Sequence, residues 1–143
     1  MEAKKWLRKQ AKKELDIMPQ ARKNSKFIFE DGSVIAHYSL SKRGRYTELN
    51  GLIVDSEHRG KGLTYKILEE CGDNLIVFTR NEFLKKALLK SNFSQRKMNY
   101  RLPLFSIFCD RLFKSLILIL TLDFKRLIHQ IKYLRKYKLY IRE

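Results

Sequence analysis

Cysteine, acidic residues and long apolar runs are all scarce in this sequence, and each shortage excludes a class of protein. The two cysteines, Cys71 and Cys109, are too few for a disulfide framework and do not have the spacing of metal ligands. Residues 1–13 lack the apolar core of a secretory signal peptide. We therefore expect a cytoplasmic protein with buried, reduced thiols and no metal site.

Acidic residues number 15 against 31 lysines and arginines, which gives a formal net charge of +16. A field of this size favours polyanionic partners such as nucleic acid, a ribosome or an anionic membrane surface. A basic surface that is merely solvated is the alternative interpretation, and charge says nothing about the fold. The length of 143 residues is enough for one domain with a substantial core.

The most apolar stretch, residues 104–122, contains three charged residues, so its uninterrupted part is far shorter than the roughly 20 residues of a membrane-spanning helix. Asp123 is suited to cap a second helix whose apolar stripe is surrounded by lysines and arginines. We expect residues 103–143 to form a basic two-helix extension. It either packs on the sheet or on a second subunit of a homodimer, or binds a membrane surface or nucleic acid.

The remaining residues predict an alternation of short strands and helices. The strongest local signal is Asp31-Gly32 between two apolar runs, which indicates a hairpin. The predicted strands are 26–30, 33–41, 46–54, 74–79 and 93–102, and the predicted helices before the extension are 2–18, 63–70 and 81–90.

Residues 46–72 carry the clearest functional signal. A strand ending in Val54-Asp55 leads into Arg59-Gly60-Lys61-Gly62, and a helix follows directly. Glycines let the backbone approach an anion, and the unpaired N–H groups of a first helical turn favour a phosphate. Two cations lie at the same place, so this stretch predicts a phosphate-binding loop.

The same stretch resembles the pyrophosphate-binding signature of the GNAT superfamily, the Gcn5-related N-acetyltransferases. Their pattern is Arg/Gln-x-x-Gly-x-Gly/Ala; Arg59 and Gly62 match it, and Thr64 departs from it. The resemblance covers residues 26–102 and implies an α/β (α+β) fold: a mixed, largely antiparallel sheet flanked by helices, within a domain 1–102. It also implies a set of acetyl-CoA contacts: Leu52, Ile53 and Val54 on the central strand, beside a bulge at Gly51, and Arg59, Gly60, Lys61, Gly62, Leu63 and Thr64 on the loop.

A second family segment, N-x-x-A-x-x-x-Y-x-x-x-G-F, aligns with residues 81–93. Asn81 and Phe93 match, which makes Asn81 a further cofactor-binding candidate by resemblance, while Leu84 and Asn92 differ from the family residues. Leu88 stands where the family has the tyrosine that protonates the departing thiolate. The usual general acid is therefore missing.

The resemblance also suggests catalytic residues. Glu48 occupies the customary position of the general base, on the strand face expected to carry Tyr46, Asn50, Leu52 and Val54 as well. An ordinary solvent-facing glutamate is the competing interpretation. Asp55 is the second candidate base, although its family counterpart is more often a loop cap. Three tyrosines are candidate replacements for the missing acid: Tyr38, Tyr65 and Tyr100.

The resemblance as a whole implies an acetyl-CoA-dependent N-acetyltransferase. We expect its acceptor to be a primary amine on a macromolecule, either a protein or an amine on or near nucleic acid. The alternative is a GNAT-like module without turnover that binds nucleic acid or an anionic membrane through its basic helices.

Overall fold

The computed structural model describes residues 2–97 and 103–143, which form six strands and five α-helices. The helices are α1 (Glu2–Lys13), α2 (Leu63–Glu70), α3 (Glu82–Lys90), α4 (Leu104–Leu120) and α5 (Phe124–Tyr133). The strands are β1 (Ser25–Glu30), β2 (Ser33–Arg43), β3 (Tyr46–Val54), β4 (Leu75–Thr79), β5 (Ser94–Arg96) and β6 (Lys138–Arg142).

The strands form one mixed sheet in the order β1-β2-β3-β4-β6-β5. The β3–β4 pair is parallel and the other four pairs are antiparallel. This confirms the expected mixed, largely antiparallel sheet. The expected C-terminal extension contributes α4 and α5, as predicted, and also β6, which the sequence analysis missed.

Each face of the sheet has its own core. On one face α2 and α3 cover a cluster that includes Leu49, Leu75 and Tyr140. On the other face α4 packs through Ile107 against Tyr46, Ile76 and neighbouring side chains of β6. A smaller cluster around Leu7 places α1 on that second face, next to Ile53. The helices of the extension and the N-terminal helix therefore share one side of the molecule.

A β-bulge interrupts the pairing of β2 with β3. His37 faces Ile53 and Ser39 faces Asn50, so one residue of β2 opposes two of β3, Gly51 and Leu52. Gly51 has φ +58°, the left-handed conformation that glycine adopts at such bulges. The expected position of the bulge is therefore confirmed.

The bulge also overturns one expectation about strand faces. Because an extra residue shifts the alternation, Leu52 and Val54 pack in the α2/α3 cluster, whereas Tyr46 lies in the cluster under α4. The prediction that these side chains share the face of Glu48 is wrong beyond Gly51.

Other differences from the predictions are smaller. Helix α1 ends at Lys13 instead of continuing to residue 18. The strand predicted over 93–102 is observed at Ser94–Arg96, and residues 98–102 lie outside the described part. Cys71 is half-buried and Cys109 is exposed, so the expectation of two buried thiols is wrong. Among the helices of the described ranges, none is both long and apolar enough to cross a membrane.

Candidate functional site

The strands β3 and β4 separate after a short parallel segment. They pair only where residues 47–49 face residues 75–77. Beyond that point, residues 50–54 keep their pairing with β2, and no strand within the described ranges pairs with their other side. Backbone N–H and C=O groups without partners require hydrogen bonds from elsewhere. The three residues expected to contact the acyl donor, Leu52, Ile53 and Val54, lie in this open segment.

His37, on β2, forms a hydrogen bond with the bulge residue Gly51 of β3. Its Nδ1 lies 3.0 Å from the Gly51 carbonyl oxygen, and its Nε2 lies 3.0 Å from Ser25 Oγ. Burial lowers the pKa of His37 by more than the hydrogen bond with Gly51 raises it. The neutral imidazole then donates from Nδ1 to the Gly51 carbonyl and accepts from the Ser25 hydroxyl. His37 is not among the expected site residues, because no local pattern in the sequence indicates a contact with Gly51 across the bulge.

The glycine loop leaves an open approach to the start of α2. Gly60 and Gly62 both have φ +78°, and a Cβ at either position would meet no heavy atom within 4 Å. Gly62 precedes the helix without a side-chain cap, and the Lys66 N–H bonds to the Gly62 carbonyl at 3.2 Å. The N–H groups of residues 63–65 therefore lack intrahelical partners. Such a helix start is suited to bind an anion.

The two cations of the loop have different environments. Arg59 donates from Nε to the Val54 carbonyl at 3.0 Å, and its guanidinium pairs with Glu14 at 2.6 Å. These contacts fasten the loop to the end of β3 and to the segment after α1. Lys61 is exposed, and no ion pair within the described residues involves it. Lys61 is thus the more available cation.

A cavity of about 360 Å³ lies on the other face of the sheet, between β2–β3, the segment after α1, and the α4–α5 pair. Its floor on the sheet is polar and includes Ser39, Glu48 and Asn50, together with the bulge residue Gly51. Its wall on α4 and α5 is largely apolar. The cavity and the glycine loop therefore approach the bulge from two different sides.

Glu48 is buried on this floor and paired with Arg43. Arg43 Nε lies 2.6 Å from Glu48 Oε2, and both side chains are less than a tenth exposed. The same guanidinium lies 3.0 Å from Asp110 and donates to Ser106 at 3.2 Å. Because Oε2 is taken by Arg43, Oε1 is the oxygen of Glu48 that is left for a ligand in the cavity.

The sequence contained one signal for this pair. Arg43 is paired with Tyr46 and Ser41 with Glu48 across the β2–β3 turn, so Arg43 and Glu48 are diagonal neighbours on one face. Their link to Asp110 on α4 had no local signal, because 62 residues separate Glu48 from Asp110.

Asp110 connects the floor to further cations. It accepts from Lys114 and from Arg22, each at 3.0 Å. Burial alone would raise the pKa of Asp110, but Lys114 and Arg22 outweigh burial and lower it. Burial and the nearby Arg22 lower the pKa of Lys114. The charged side chains at and behind the floor of the cavity thus form a compact network.

Asp55 and Asn81 act as caps in this structure. Asp55 accepts from Gln10 at 2.9 Å and caps the short 3₁₀ turn Ser56–His58. Burial would raise the pKa of Asp55, but the Glu57 N–H, His58 and Gln10 lower it overall. Asn81 Oδ1 accepts from the first N–H groups of α3. Asp55 lies outside the cavity lining, whereas Glu48 belongs to it.

The expected replacements for the missing acid lie in different places. Leu88 fills the core beneath α3 with no exposed surface, and Tyr38 is buried in the same cluster. Tyr65 is 37% exposed at the start of α2, and Tyr100 lies outside the described residues. Tyr137 is not among the expected replacements, yet it lines the cavity and donates to Asp16 at 2.8 Å. Burial and Asp16 raise the pKa of Tyr137 to about 12, so this phenol retains its proton.

Comparison with solved structures gives a similar fold. A chain of N-acetylglutamate synthase from Neisseria gonorrhoeae, in complex with coenzyme A and N-acetyl-glutamate, matches with a TM-score of 0.60 and 12% identity. The match covers 99% of this chain and 32% of that chain, so the present chain spans about a third of that protein. No match was found among curated proteins.

The sequence model of the acetyltransferase (GNAT) family matches residues 2–74. The matched part runs from α1 to just before β4, and it includes the bulge, Glu48 and the complete glycine loop. Both the sequence match and the fold thus agree with the element order and the separated strands described above. The chain belongs to the GNAT acetyltransferase family.

Proposed function

We propose that the protein transfers the acetyl group of acetyl-CoA to a primary amine. One observation carries this proposal: β3 and β4 separate at the Gly51 bulge, where the glycine loop opens on one side and the cavity on the other. A donor and an acceptor that enter from opposite sides would meet at the bulge. Bringing two reactants together in attack geometry is itself a large part of catalysis.

The acetyl donor would be bound mainly by backbone groups of the protein. Acetyl-CoA supplies the thioester whose carbonyl carbon the amine attacks. The free N–H groups of residues 63–65 and the Lys61 ammonium suit its pyrophosphate. The unpaired edge of residues 52–54 suits its amide groups and the acyl oxygen. The open space at Gly60 and Gly62 fits a large anionic group.

On the acceptor side, Glu48 would take the proton of the amine. An amine must be neutral to attack, and a carboxylate in the cavity can accept its proton directly or through water. Arg43 pairs with Oε2 of Glu48 and restricts the orientation of the carboxylate, which leaves Oε1 to accept the proton. Asp55 remains the second candidate base, and Tyr100 a candidate acid, on the family resemblance alone.

The acceptor itself we propose to be an amine on a macromolecule. A cavity of about 360 Å³ with an open mouth admits one extended side chain or a small amine. The net charge of +16 favours an acceptor that is part of, or bound to, a polyanion such as nucleic acid or a ribosome. We place this activity in the cytoplasm, where acetyl-CoA is available.

A second candidate function is a GNAT-like module without turnover. It is favoured by two observations: Leu88 fills the place of the family's acid tyrosine, and Arg59 is already paired with Glu14. In this case the basic helices would bind nucleic acid or an anionic membrane surface, and the glycine loop would carry no chemistry.

The two functions are distinguished by measuring both the binding of acetyl-CoA and its turnover. Acetyl-CoA binding is measured by calorimetry, and release of free thiol is followed with and without a panel of amines, including lysine peptides and polyamines. Binding with amine-dependent thiol release supports the enzyme. Binding without any thiol release, even at high pH, supports the second function, and no binding at millimolar acetyl-CoA refutes acetyl transfer.

A further inference from the structure

The α4–α5 hairpin exposes an unusually apolar surface. At its tip, Leu120 is 81% exposed and Leu122 73%, and Phe124 follows at 49%. Further exposed apolar side chains lie along both helices: Phe105, Phe113, Leu116 and Ile119 on α4 and Ile128 on α5, whereas Phe108, Leu112 and Ile131 line the cavity. Contiguous apolar surface of this kind marks an interaction site.

Leu122 is in a conformation that leucine disfavours. Helices α2, α3 and α4 each end with a residue of positive φ, and these residues are Gly72 (+70°), Asn92 (+62°) and Leu122 (+55°). Glycine and asparagine are the usual choices at this position, whereas leucine is strained there. The strained leucine contributes nothing to the core, because its side chain points into solvent. Folding therefore does not explain the choice of leucine at 122.

Unpaired cations lie directly beside this tip. A surface depression of about 470 Å³ is lined by Arg8 and Lys12 of α1 and by Lys125 at the start of α5. None of the three has an ion pair within the described residues, whereas Arg126 and Asp123 in the same depression pair with each other. A phosphate group would complement the three cations.

The charges of the hairpin are distributed unequally between its two sides. Residues 104–138 contain two acids and eight lysines or arginines. Both acids, Asp110 and Asp123, form ion pairs with neighbouring bases. The exposed lysines and arginines of α5 and the following turn are Lys125, Lys132, Arg135 and Lys136. The outer side thus combines apolar groups with positive charge only.

We propose that this hairpin docks on an anionic lipid bilayer. Leu120, Leu122 and Phe124 enter the interfacial region, and Arg8, Lys12 and Lys125 bind headgroup phosphates. Apolar side chains flanked by lysine and arginine are the arrangement of interfacial helices. A second copy of the chain would bring like charges together, and nucleic acid offers no partner for the apolar tip. The proposal is independent of acetyl transfer.

The first test removes the leucine without disturbing the fold. Leu122→Gly relieves the strained conformation, so the melting temperature is expected to stay equal or rise. Cosedimentation with vesicles of phosphatidylcholine and phosphatidylglycerol is expected to weaken about fivefold, since one apolar side chain no longer leaves water. Asn92→Gly is the matched control, because it changes the same helix-end position on α3. It is expected to leave vesicle binding unchanged.

The second test changes the charges. The double variant Lys12→Glu/Lys125→Glu removes two cations of the depression. Its control is the double variant Lys86→Glu/Lys90→Glu, which makes the same change of charge on α3, on the other face of the sheet. Only the first pair is expected to abolish binding to the anionic vesicles, and pure phosphatidylcholine vesicles are expected to bind the wild type weakly.

Three results would overturn the proposal. In the first, Leu122→Gly binds vesicles as well as the wild type does. In the second, both pairs of charge changes weaken vesicle binding equally. In the third, the wild type sediments as a dimer and Leu122→Gly sediments as a monomer. Binding of single-stranded RNA that depends on Lys12 and Lys125, with no vesicle binding, would instead assign the depression to nucleic acid.

Discussion

The imidazole Nδ1 of His37 lies 3.0 Å from the carbonyl oxygen of Gly51, and this contact joins β2 to the bulge of β3. The bulge shifts the alternation of β3, so that Glu48 faces the cavity while Leu52 faces the α2/α3 core. It also lies where β3 and β4 separate. His37 is therefore placed to hold the proposed reaction centre in shape.

We expect this contact to make the protein sensitive to mild acid. Burial lowers the pKa of His37 below its ordinary value of 6.5, so the unfolded chain binds this proton more readily than the folded one. The free energy of unfolding is therefore expected to fall as the pH decreases below about 6.5, and to be independent of His37 above it. Urea unfolding of wild type and His37→Gln between pH 5 and 8 measures this component.

The loss of stability below about pH 6.5 should be absent in His37→Gln, whose amide can still donate to the Gly51 carbonyl. It should be present in the control His58→Gln. Identical pH dependence in the wild type and His37→Gln would show that the pKa of His37 is the same in the folded and the unfolded chain, and would contradict the prediction.

The glycine loop gives a second prediction. Gly62→Glu adds a side chain and a negative charge in front of α2, where the open space was found, and is expected to abolish stabilisation by acetyl-CoA. The measurement is the shift of the melting temperature at millimolar acetyl-CoA. Gly72→Glu is the control, because Gly72 has φ +70° and equally open surroundings at the other end of α2. An undiminished shift in Gly62→Glu would remove the loop from the binding site.

Glu48 gives a third prediction, which concerns the rate. Glu48→Gln is expected to bind acetyl-CoA normally and to lower kcat roughly 10²–10⁴-fold at neutral pH. Part of the rate should return at high pH, where the amine loses its proton unaided. Pre-steady-state and steady-state thiol release over a range of pH measure both effects.

Arg43→Gln is the control for Glu48, because it disturbs the same buried pair and keeps the carboxylate. It is expected to cost more stability, about 3–5 kcal/mol, because Glu48 is left buried without its cation, and to lower the rate less than Glu48→Gln does. If both variants lose activity in parallel with stability, Glu48 is a structural residue and the base must be sought elsewhere.

The strand β6 gives the fourth prediction. It lies between β4 and β5, and its Leu139 is 1% exposed. Leu139→Ala is expected to lower the free energy of unfolding by about 2–5 kcal/mol. Removing residues 138–143 is expected to give insoluble protein, because two strand edges and both cores become exposed. Lys138→Ala, at an exposed position of the same strand, is expected to change little in the same urea titration.

Local sequence was sufficient for the elements that local interactions stabilise. The Asp31-Gly32 hairpin, the strand–glycine–helix unit of residues 46–70 and the capped start at Asp123 all form as predicted. Each depends on turn chemistry, side-chain periodicity or a capping group within a few residues. The resemblance to the family placed the bulge at Gly51 for the same reason, since a left-handed residue in a strand favours glycine.

The tertiary structure decided whatever depends on contacts between distant segments. The insertion of β6 between β4 and β5, the meeting of Glu48 and Arg43 with Asp110, and the position of Tyr137 in the cavity have no local signal. Strand order and ion pairing are set by through-space neighbours, and one bulge residue is enough to reverse which side chains reach a face. The sequence alone therefore determined the glycine loop and the helix start behind it, whereas packing determined the cavity on the other face of the sheet.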